Sequence, residues 1–171
     1  MSQDLAPEIT RLAFQNAQEQ DWSGKIEGDL PDWAKGVLYL NGPAAYTLDE
    51  LKRGHWIDGD GLVRRLEFGG ETASFRSRFV QTQRRREEAE PDTAPCRSFG
   101  TASPGDRQRR SLILYTPSNV SVHHFAGRLM TYGEQSLPLE LDPESLETLV
   151  EYKTEADLPY IMPLSAHPKI D

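Results

Sequence analysis

The clearest strand signal in the chain is the stretch HWIDGDGLVRRLEFGGETASFRSRFVQT, residues 55–82. It contains two runs rich in β-branched and aromatic residues, Leu62 to Phe68 and Ser74 to Thr82. Gly69-Gly70 stands between them, and a glycine pair at such a point is typical of a tight hairpin turn. The stretch therefore predicts two antiparallel strands joined by a short turn.

Similar short runs recur on both sides of this hairpin, and Gly, Pro, Asn and Asp separate them. They are Val37 to Leu40, Leu112 to Tyr115, Val120 to Phe125, Leu129 to Tyr132 and Thr148 to Tyr152. Ala126-Gly127 predicts a second tight turn between two of these runs. The pattern indicates an all-β antiparallel meander, and it fits a sandwich, a barrel or a propeller equally well.

Two segments depart from the strand pattern. Leu5, Ile9, Leu12 and Ala13 recur at roughly helical spacing and predict one short N-terminal helix. Residues 83–111 are charged and rich in proline, so we expect a long surface loop there. The basic run Arg84 to Arg86 within it is followed at once by acidic residues, and we therefore interpret it as a solvated loop.

Composition limits the classes of function. The chain has 171 residues, 37% hydrophobic and 27% charged, which describes a folded globular protein. Its formal net charge of −8 disfavours general nucleic-acid binding, because an acidic surface repels phosphate backbones. The single cysteine, Cys96, and the absence of a signal-peptide pattern predict a cytoplasmic protein. No apolar run reaches membrane-span length, although an apolar patch assembled from distant residues would allow peripheral membrane contact.

The segment His55 to Gly61 resembles the start of a calcium-binding loop, because aspartates alternate with glycines. An EF-hand is excluded, since Leu62, Val63 and Gly69 occupy its fifth, sixth and twelfth positions. We expect instead a structural turn in which the Asp side chains bind backbone N–H groups and the glycines adopt positive φ.

Four histidines are present, at positions 55, 123, 124 and 167. His123 and His124 are neighbours in a predicted strand, so their side chains point to opposite faces and cannot reach one ion together. No zinc-type spacing, catalytic triad order or phosphate-binding loop occurs. Reasoning from residue types alone therefore ends at an acidic, mostly β protein of unknown activity.

An ordered set of motifs resembles the carotenoid cleavage oxygenase family, which includes lignostilbene dioxygenases and the retinal pigment epithelium isomerase. The set runs in chain order along almost the whole sequence. It comprises Gly28-Asp29-Leu30-Pro31, Gly36, Asn41-Gly42-Pro43, His55 to Val63, Ser77 to Thr82, Phe99-Gly100-Thr101, Asn119-Val120, Gly133-Glu134, Leu141 to Thr148 and Ala166 to Asp171.

The resemblance implies a seven-bladed β-propeller, of which residues 1–171 are the truncated N-terminal part of one domain. It implies Fe(II) held by four histidines, with His167 matching the first ligand. Glu134 matches a glutamate that hydrogen-bonds a different, later ligand histidine, and Phe99 matches an aromatic residue of the substrate cleft. The implied reaction is oxidative cleavage by O₂ of a double bond in an apolar carotenoid, apocarotenoid or stilbene.

Departures from the family pattern bear on the substrate and on activity. Leu40 and Gln81 replace arginines that are usual in the family, and Gly133 stands where a hydroxyl residue is frequent. The other three ligand histidines are absent, so we expect the 171-residue chain alone to be inactive. The competing hypothesis is a family remnant that acts as a binding or interaction module, or has no function.

Overall fold

The computed structural model describes residues 17–48, 51–102, 104–107, 115–134, 136–151 and 165–169. These residues form two four-stranded antiparallel sheets, a two-stranded ribbon and very little helix. The strands are β1 (Gln20–Lys25), β2 (Gly36–Ala45), β3 (Thr47–Leu48), β4 (Leu51–Lys52), β5 (Asp60–Gly69), β6 (Thr72–Phe79), β7 (Ser121–Phe125), β8 (Arg128–Tyr132), β9 (Leu139–Leu141) and β10 (Thr148–Glu151). The predicted N-terminal helix lies outside the described residues.

The first sheet has the order β1-β6-β5-β2, and the second has the order β10-β9-β8-β7. The β5–β6 hairpin predicted from the sequence is confirmed, with Gly69 paired to Thr72 and Gly70 at a positive φ of 61°. The second predicted turn is also confirmed, because Ala126 and Gly127 both adopt positive φ between the paired residues Phe125 and Arg128. Strands β1 and β9 were not predicted, since β1 is fully exposed and β9 has only three residues.

Burial of both faces of β5 places the two hydrophobic cores. Val63 packs with residues of the second sheet, and its neighbour Leu62 packs with Ala44 and Phe79 on the opposite face. Successive strand residues point to opposite faces, so a pair of adjacent apolar residues is what a strand buried on both sides requires. The core on the Val63 side comprises Val63, Val80, Leu129, Leu139, Leu141 and Leu146.

Two asparagine side chains connect the sheets where no continuous strand pairing does. The amide of Asn41 donates to the carbonyls of Ser118 and Ser121 at 2.9 and 3.0 Å. The amide of Asn119 donates to the carbonyls of Ile57 and Gly59 at 2.7 and 2.6 Å. Each side-chain amide thus satisfies two backbone acceptors. Asn41 joins β2 to the start of β7, and Asn119 joins the segment before β7 to the turn before β5.

The basic run after β6 is not a solvated loop, and that interpretation was wrong. Residues Gln83–Glu88 form a short helix, α1, whose N-cap Thr82 accepts a hydrogen bond from the Arg85 amide at 3.1 Å. Arg84 is 1% exposed, forms an ion pair with Asp60 and donates to the carbonyl of Asp58 at 2.8 Å. The local charge balance of the run concealed this burial, because its neutralising partner lies in β5.

The turn that begins at His55 is confirmed in one respect and corrected in another. Residues Trp56–Asp58 form one 3₁₀ turn, and Asp58 accepts a hydrogen bond from the backbone amide of Gly100 at 2.9 Å. Gly59 has a φ of −63°, so positive φ is not its role. A Cβ at Gly59 would lie 2.6 Å from the Tyr46 ring, so close packing requires glycine at this position.

No helix within the described ranges has the length and apolar composition needed to cross a membrane.

Candidate functional site

Glu134 is the second residue after β8, at a point where two chain segments are in very close contact. Its predecessor Gly133 is buried, and a Cβ there would lie 2.2 Å from Oγ1 of Thr116 and 3.2 Å from Cα of Ser118. Glycine therefore allows the segment before β7 to lie against the end of β8. Beyond this contact the Glu134 side chain is 54% exposed, so its carboxylate faces solvent.

His167 is brought to the same place by a different contact. Its neighbour Ala166 is 2% exposed, and the Ala166 carbonyl accepts a hydrogen bond from Oγ of Ser121 at 2.6 Å. The backbone amide of His167 donates to Oγ of Ser165 at 3.1 Å. The segment 165–169 is thus anchored on the first residue of β7, next to the end of β8, while the imidazole is 72% exposed.

The two predicted metal-site residues meet in the structure. Nε2 of His167 lies 3.5 Å from Oε1 of Glu134, slightly beyond an ordinary N–H···O hydrogen bond. A ring that directs its Nε2–H to a carboxylate keeps Nδ1 available as an acceptor or a metal ligand. The pair therefore offers one imidazole nitrogen with a carboxylate beside it, in a position open to solvent.

The other three histidines, at positions 55, 123 and 124, make their contacts away from the Glu134–His167 pair. Nδ1 of His55 accepts a hydrogen bond from the Ile57 amide at 3.2 Å. His123 packs edge-on against Tyr132 with ring centroids 5.6 Å apart, and His124 is exposed on the opposite face of β7. Over the described part of the chain, no three His, Cys, Asp or Glu side chains cluster closely enough to hold a metal ion. The residues described here therefore supply at most part of a metal site.

Phe99, the predicted substrate contact, lies on a different surface turn. Its side chain is 80% exposed, and its ring meets His55 edge-on with centroids 5.3 Å apart. The structure thus brings Glu134 and His167 together and packs Phe99 on the turn that begins at His55. The assignments of all three residues remain predictions, including that of Glu134 as the partner of a later histidine.

Sequence reasoning missed a cluster of buried charges next to this turn. Arg53 and Glu88 form an ion pair at 2.5 Å with side chains 3% and 4% exposed, and Arg84 pairs with Asp60 close by. Thr82 followed by Gln83 and strong helix formers was an available helix signal. The burial itself had no local signal, because the hydrogen-bonded pairs Arg53–Glu88 and Arg84–Asp60 join residues 35 and 24 positions apart in the chain.

Comparison with known proteins identifies the relatives of this chain. The family model described as retinal pigment epithelial membrane protein matches residues 13–171. The apocarotenoid-15,15'-oxygenase of Synechocystis is 33% identical over 159 residues, which cover 90% of this chain and 32% of that protein. Resveratrol cleavage oxygenase 1 of Aspergillus fumigatus is 29% identical over 147 residues, covering 86% of this chain and 29% of the relative.

Solved structures give the same relationship. A cobalt-substituted form of the Synechocystis apocarotenoid oxygenase superposes with a TM-score of 0.82 at 29% identity, covering 97% of this chain and 36% of that one. A mutant of the same oxygenase superposes with a TM-score of 0.84 at 30% identity, again with 97% and 36% coverage. The two sheets are therefore part of a β-propeller, and the chain spans about a third of the length of these relatives.

Proposed function

Because the chain belongs to the retinal pigment epithelial membrane protein family, whose members include carotenoid, apocarotenoid and resveratrol cleavage oxygenases, we propose that it serves in oxidative double-bond cleavage. The substrate is an apolar carotenoid, apocarotenoid or stilbene. The reaction consumes O₂ and leaves one oxygen atom on each carbon of the broken bond. The observation that carries the proposal is the meeting of His167 with Glu134 in a propeller matched by known oxygenases.

The residues present fit a share in an iron site. His167 is exposed, so its imidazole can reach an ion held jointly with ligand histidines that these 171 residues do not contain. Fe(II), when bound, would supply the redox chemistry that makes O₂ reactive toward a double bond, which side chains cannot supply. His167 would act as a neutral nitrogen ligand. Glu134 would accept the ring N–H of a different, later ligand histidine and hold the orientation of that later ring. Phe99 would contact the apolar substrate.

The chain by itself is expected to be inactive, because its described residues group no three potential metal ligands. One imidazole holds Fe(II) weakly, and competing divalent ions displace iron according to the Irving–Williams order. This observation also favours a second candidate, a family remnant that binds partners without catalysis. We further propose a cytoplasmic location, since the one cysteine suits a reducing compartment.

The test compares the 171-residue chain with the longest natural chain that contains it. Both are purified without oxygen, loaded with Fe(II), and assayed for metal content and for cleavage of an apocarotenoid and of resveratrol under ¹⁸O₂. We expect about one iron per long chain and labelled aldehyde products, and neither for the 171-residue chain. A long chain that binds iron yet cleaves neither substrate class would contradict the proposed reaction. A long chain that binds no iron would favour the non-catalytic alternative.

A further inference from the structure

The turn that begins at His55 and the turn that carries Phe99 are joined by a buried hydrogen-bonded contact. Oδ2 of Asp58 accepts two hydrogen bonds, from the Gly100 amide at 2.9 Å and from Oγ1 of Thr101 at 2.6 Å. The Thr101 hydroxyl, which donates to Asp58, itself accepts a hydrogen bond from the Gly54 amide at 2.7 Å. Asp58 is 1% exposed and Thr101 is 7% exposed, so the bond between their side chains is shielded from competing water.

Two glycines allow the two turns to approach this closely. A Cβ at Gly54 would lie 2.6 Å from the carbonyl oxygen of Gly100, and a Cβ at Gly100 would lie 2.3 Å from Cβ of His55. Contacts of this length involve backbone or the first atom of a side chain, which cannot move aside cheaply. The glycines thus allow the Phe99 turn to pack directly against the backbone at Gly54 and His55, so that the two segments cannot shift without a steric clash.

Two buried arginines, Arg84 and Arg53, bind the two turns that this contact joins. Arg84 donates to the carbonyl of Asp58 at 2.8 Å, which fixes the backbone that carries the accepting carboxylate. Arg53 donates to Oγ of Ser98 at 3.1 Å, on the other side of Phe99 in the chain. Phe99 therefore lies between two residues, Ser98 and Thr101, that are each bound to a buried charged side chain.

Phe99 itself remains largely exposed on this hydrogen-bonded turn. Its ring is 80% exposed, and it packs edge-to-face with the His55 ring. An exposed aromatic ring on a rigid base can bind an apolar molecule without the entropy cost of first ordering its loop. The motif from His55 to Asp58 thus supports the turn that carries Phe99, which is a role distinct from calcium binding and from metal ligation.

We propose that Asp58 and Thr101 are positioning residues, whose buried contact holds the Phe99 ring where it meets the apolar substrate. This inference rests on the proposed function for the role of Phe99, and on the observed contacts for the rest. It predicts that loosening the contact weakens substrate binding while leaving the chemical step intact. A contact that served only the stability of the fold would not separate these two quantities.

The test uses the pair Thr101→Val and Thr101→Ser in the longest natural chain that contains these residues. Valine matches threonine in shape and removes the hydroxyl, whereas serine retains it. Hydrogen exchange is followed in the peptide spanning residues 97–102, which contains the Gly100 amide bound to Asp58. We expect Thr101→Val to exchange about 10-fold faster there, the equivalent of one lost hydrogen bond, and Thr101→Ser to exchange like the parent.

Steady-state kinetics with an apocarotenoid complete the test, with Phe99→Ala as the comparison. Thr101→Val and Phe99→Ala should both raise KM by about 10-fold with kcat little changed, and Thr101→Ser should restore the parental KM. Unchanged exchange in Thr101→Val would reject the buried contact. Faster exchange with an unchanged KM would reject its role in positioning. If the parent cleaves nothing, the proposed function fails, and resveratrol binding measured by tryptophan quenching replaces KM.

Discussion

Nε2 of His167 lies 3.5 Å from Oε1 of Glu134, although 33 residues separate them in the chain. Neither side chain is buried, and the distance exceeds that of a well-formed hydrogen bond. What holds them together is the anchoring of their neighbours, with Ala166 bound through its carbonyl to Ser121 and Gly133 packed against Ser118. The pair is thus placed by backbone contacts, which leaves both functional groups available to a ligand.

The first prediction concerns metal affinity in the longest natural chain that includes this pair. Glu134→Gln removes a carboxylate beside an imidazole, and such partners typically contribute about 10 to 100-fold in metal affinity or activity. We expect that loss in iron occupancy or turnover, with the fold retained. His167→Ala should cost more, because it removes a ligand. Iron content and turnover are measured side by side. If Glu134→Gln had the iron content and turnover of the parent while His167→Ala lost iron, the role of Glu134 would be disproved and only the assignment of His167 as a ligand would stand.

The second prediction concerns the buried arginine of α1. Arg84→Met removes the buried partner of the Asp60 carboxylate and leaves it with the partly exposed Arg85 at 2.9 Å. Breaking a buried ion pair from one side costs about 3–5 kcal/mol, and the remaining Arg85 contact places the expected loss at the lower end of that range. The matched control is Arg86→Met two residues later, whose side chain is exposed and should change stability by no more than about 0.5 kcal/mol. Urea unfolding of both variants gives the comparison. Equal midpoints would show that the buried pair does not stabilise the fold.

The third prediction concerns Gly61, where β5 crosses the segment before β7. A Cβ there would lie 2.4 Å from the carbonyl oxygen of Ser118 and 3.0 Å from that of Pro117. Both are backbone atoms, so Gly61→Ala must displace one segment, and overpacking of this kind costs about 1–3 kcal/mol. Gly24→Ala in β1 is the control, because open space surrounds that position. Thermal denaturation should show a lower Tm for Gly61→Ala and an unchanged Tm for Gly24→Ala. A parental Tm for Gly61→Ala would mean that the two segments move apart at little cost.

The fourth prediction concerns the thiol of Cys96, which is 1% exposed. Burial, and secondarily the nearby Glu88 carboxylate, raise the pKa of this thiol to about 11. The neutral thiol is therefore favoured by folding, and the stability it contributes is present below about pH 9 and lost as the pH rises toward about 11. Alkylation by iodoacetamide at pH 8 should be slow in the folded chain and fast in urea. Rapid labelling of the folded protein would contradict the burial.

Local sequence patterns determined the longer buried strands and the two glycine-containing turns, although not strands β1 and β9. The run Leu62 to Phe68 predicted strand β5 because β-branched and aromatic residues favour extended backbone, and the structure shows that Val63 and Leu62 pack into cores on its two faces. Gly69-Gly70 predicted the hairpin because a two-residue turn needs backbone conformations that glycine adopts readily. These features depend only on residues a few positions apart, so a single sequence contains all the information that they require.

Tertiary structure alone decided where the charged residues and the candidate site residues lie relative to one another. Arg84 reads as part of a solvated basic run until β5 supplies Asp60 as its buried partner, 24 residues away. The resemblance to known oxygenases singled out His167 and Glu134, but their proximity depends on where the two sheets and segment 165–169 meet. Charge pairing is fixed by which surfaces pack together, and no local periodicity encodes that packing.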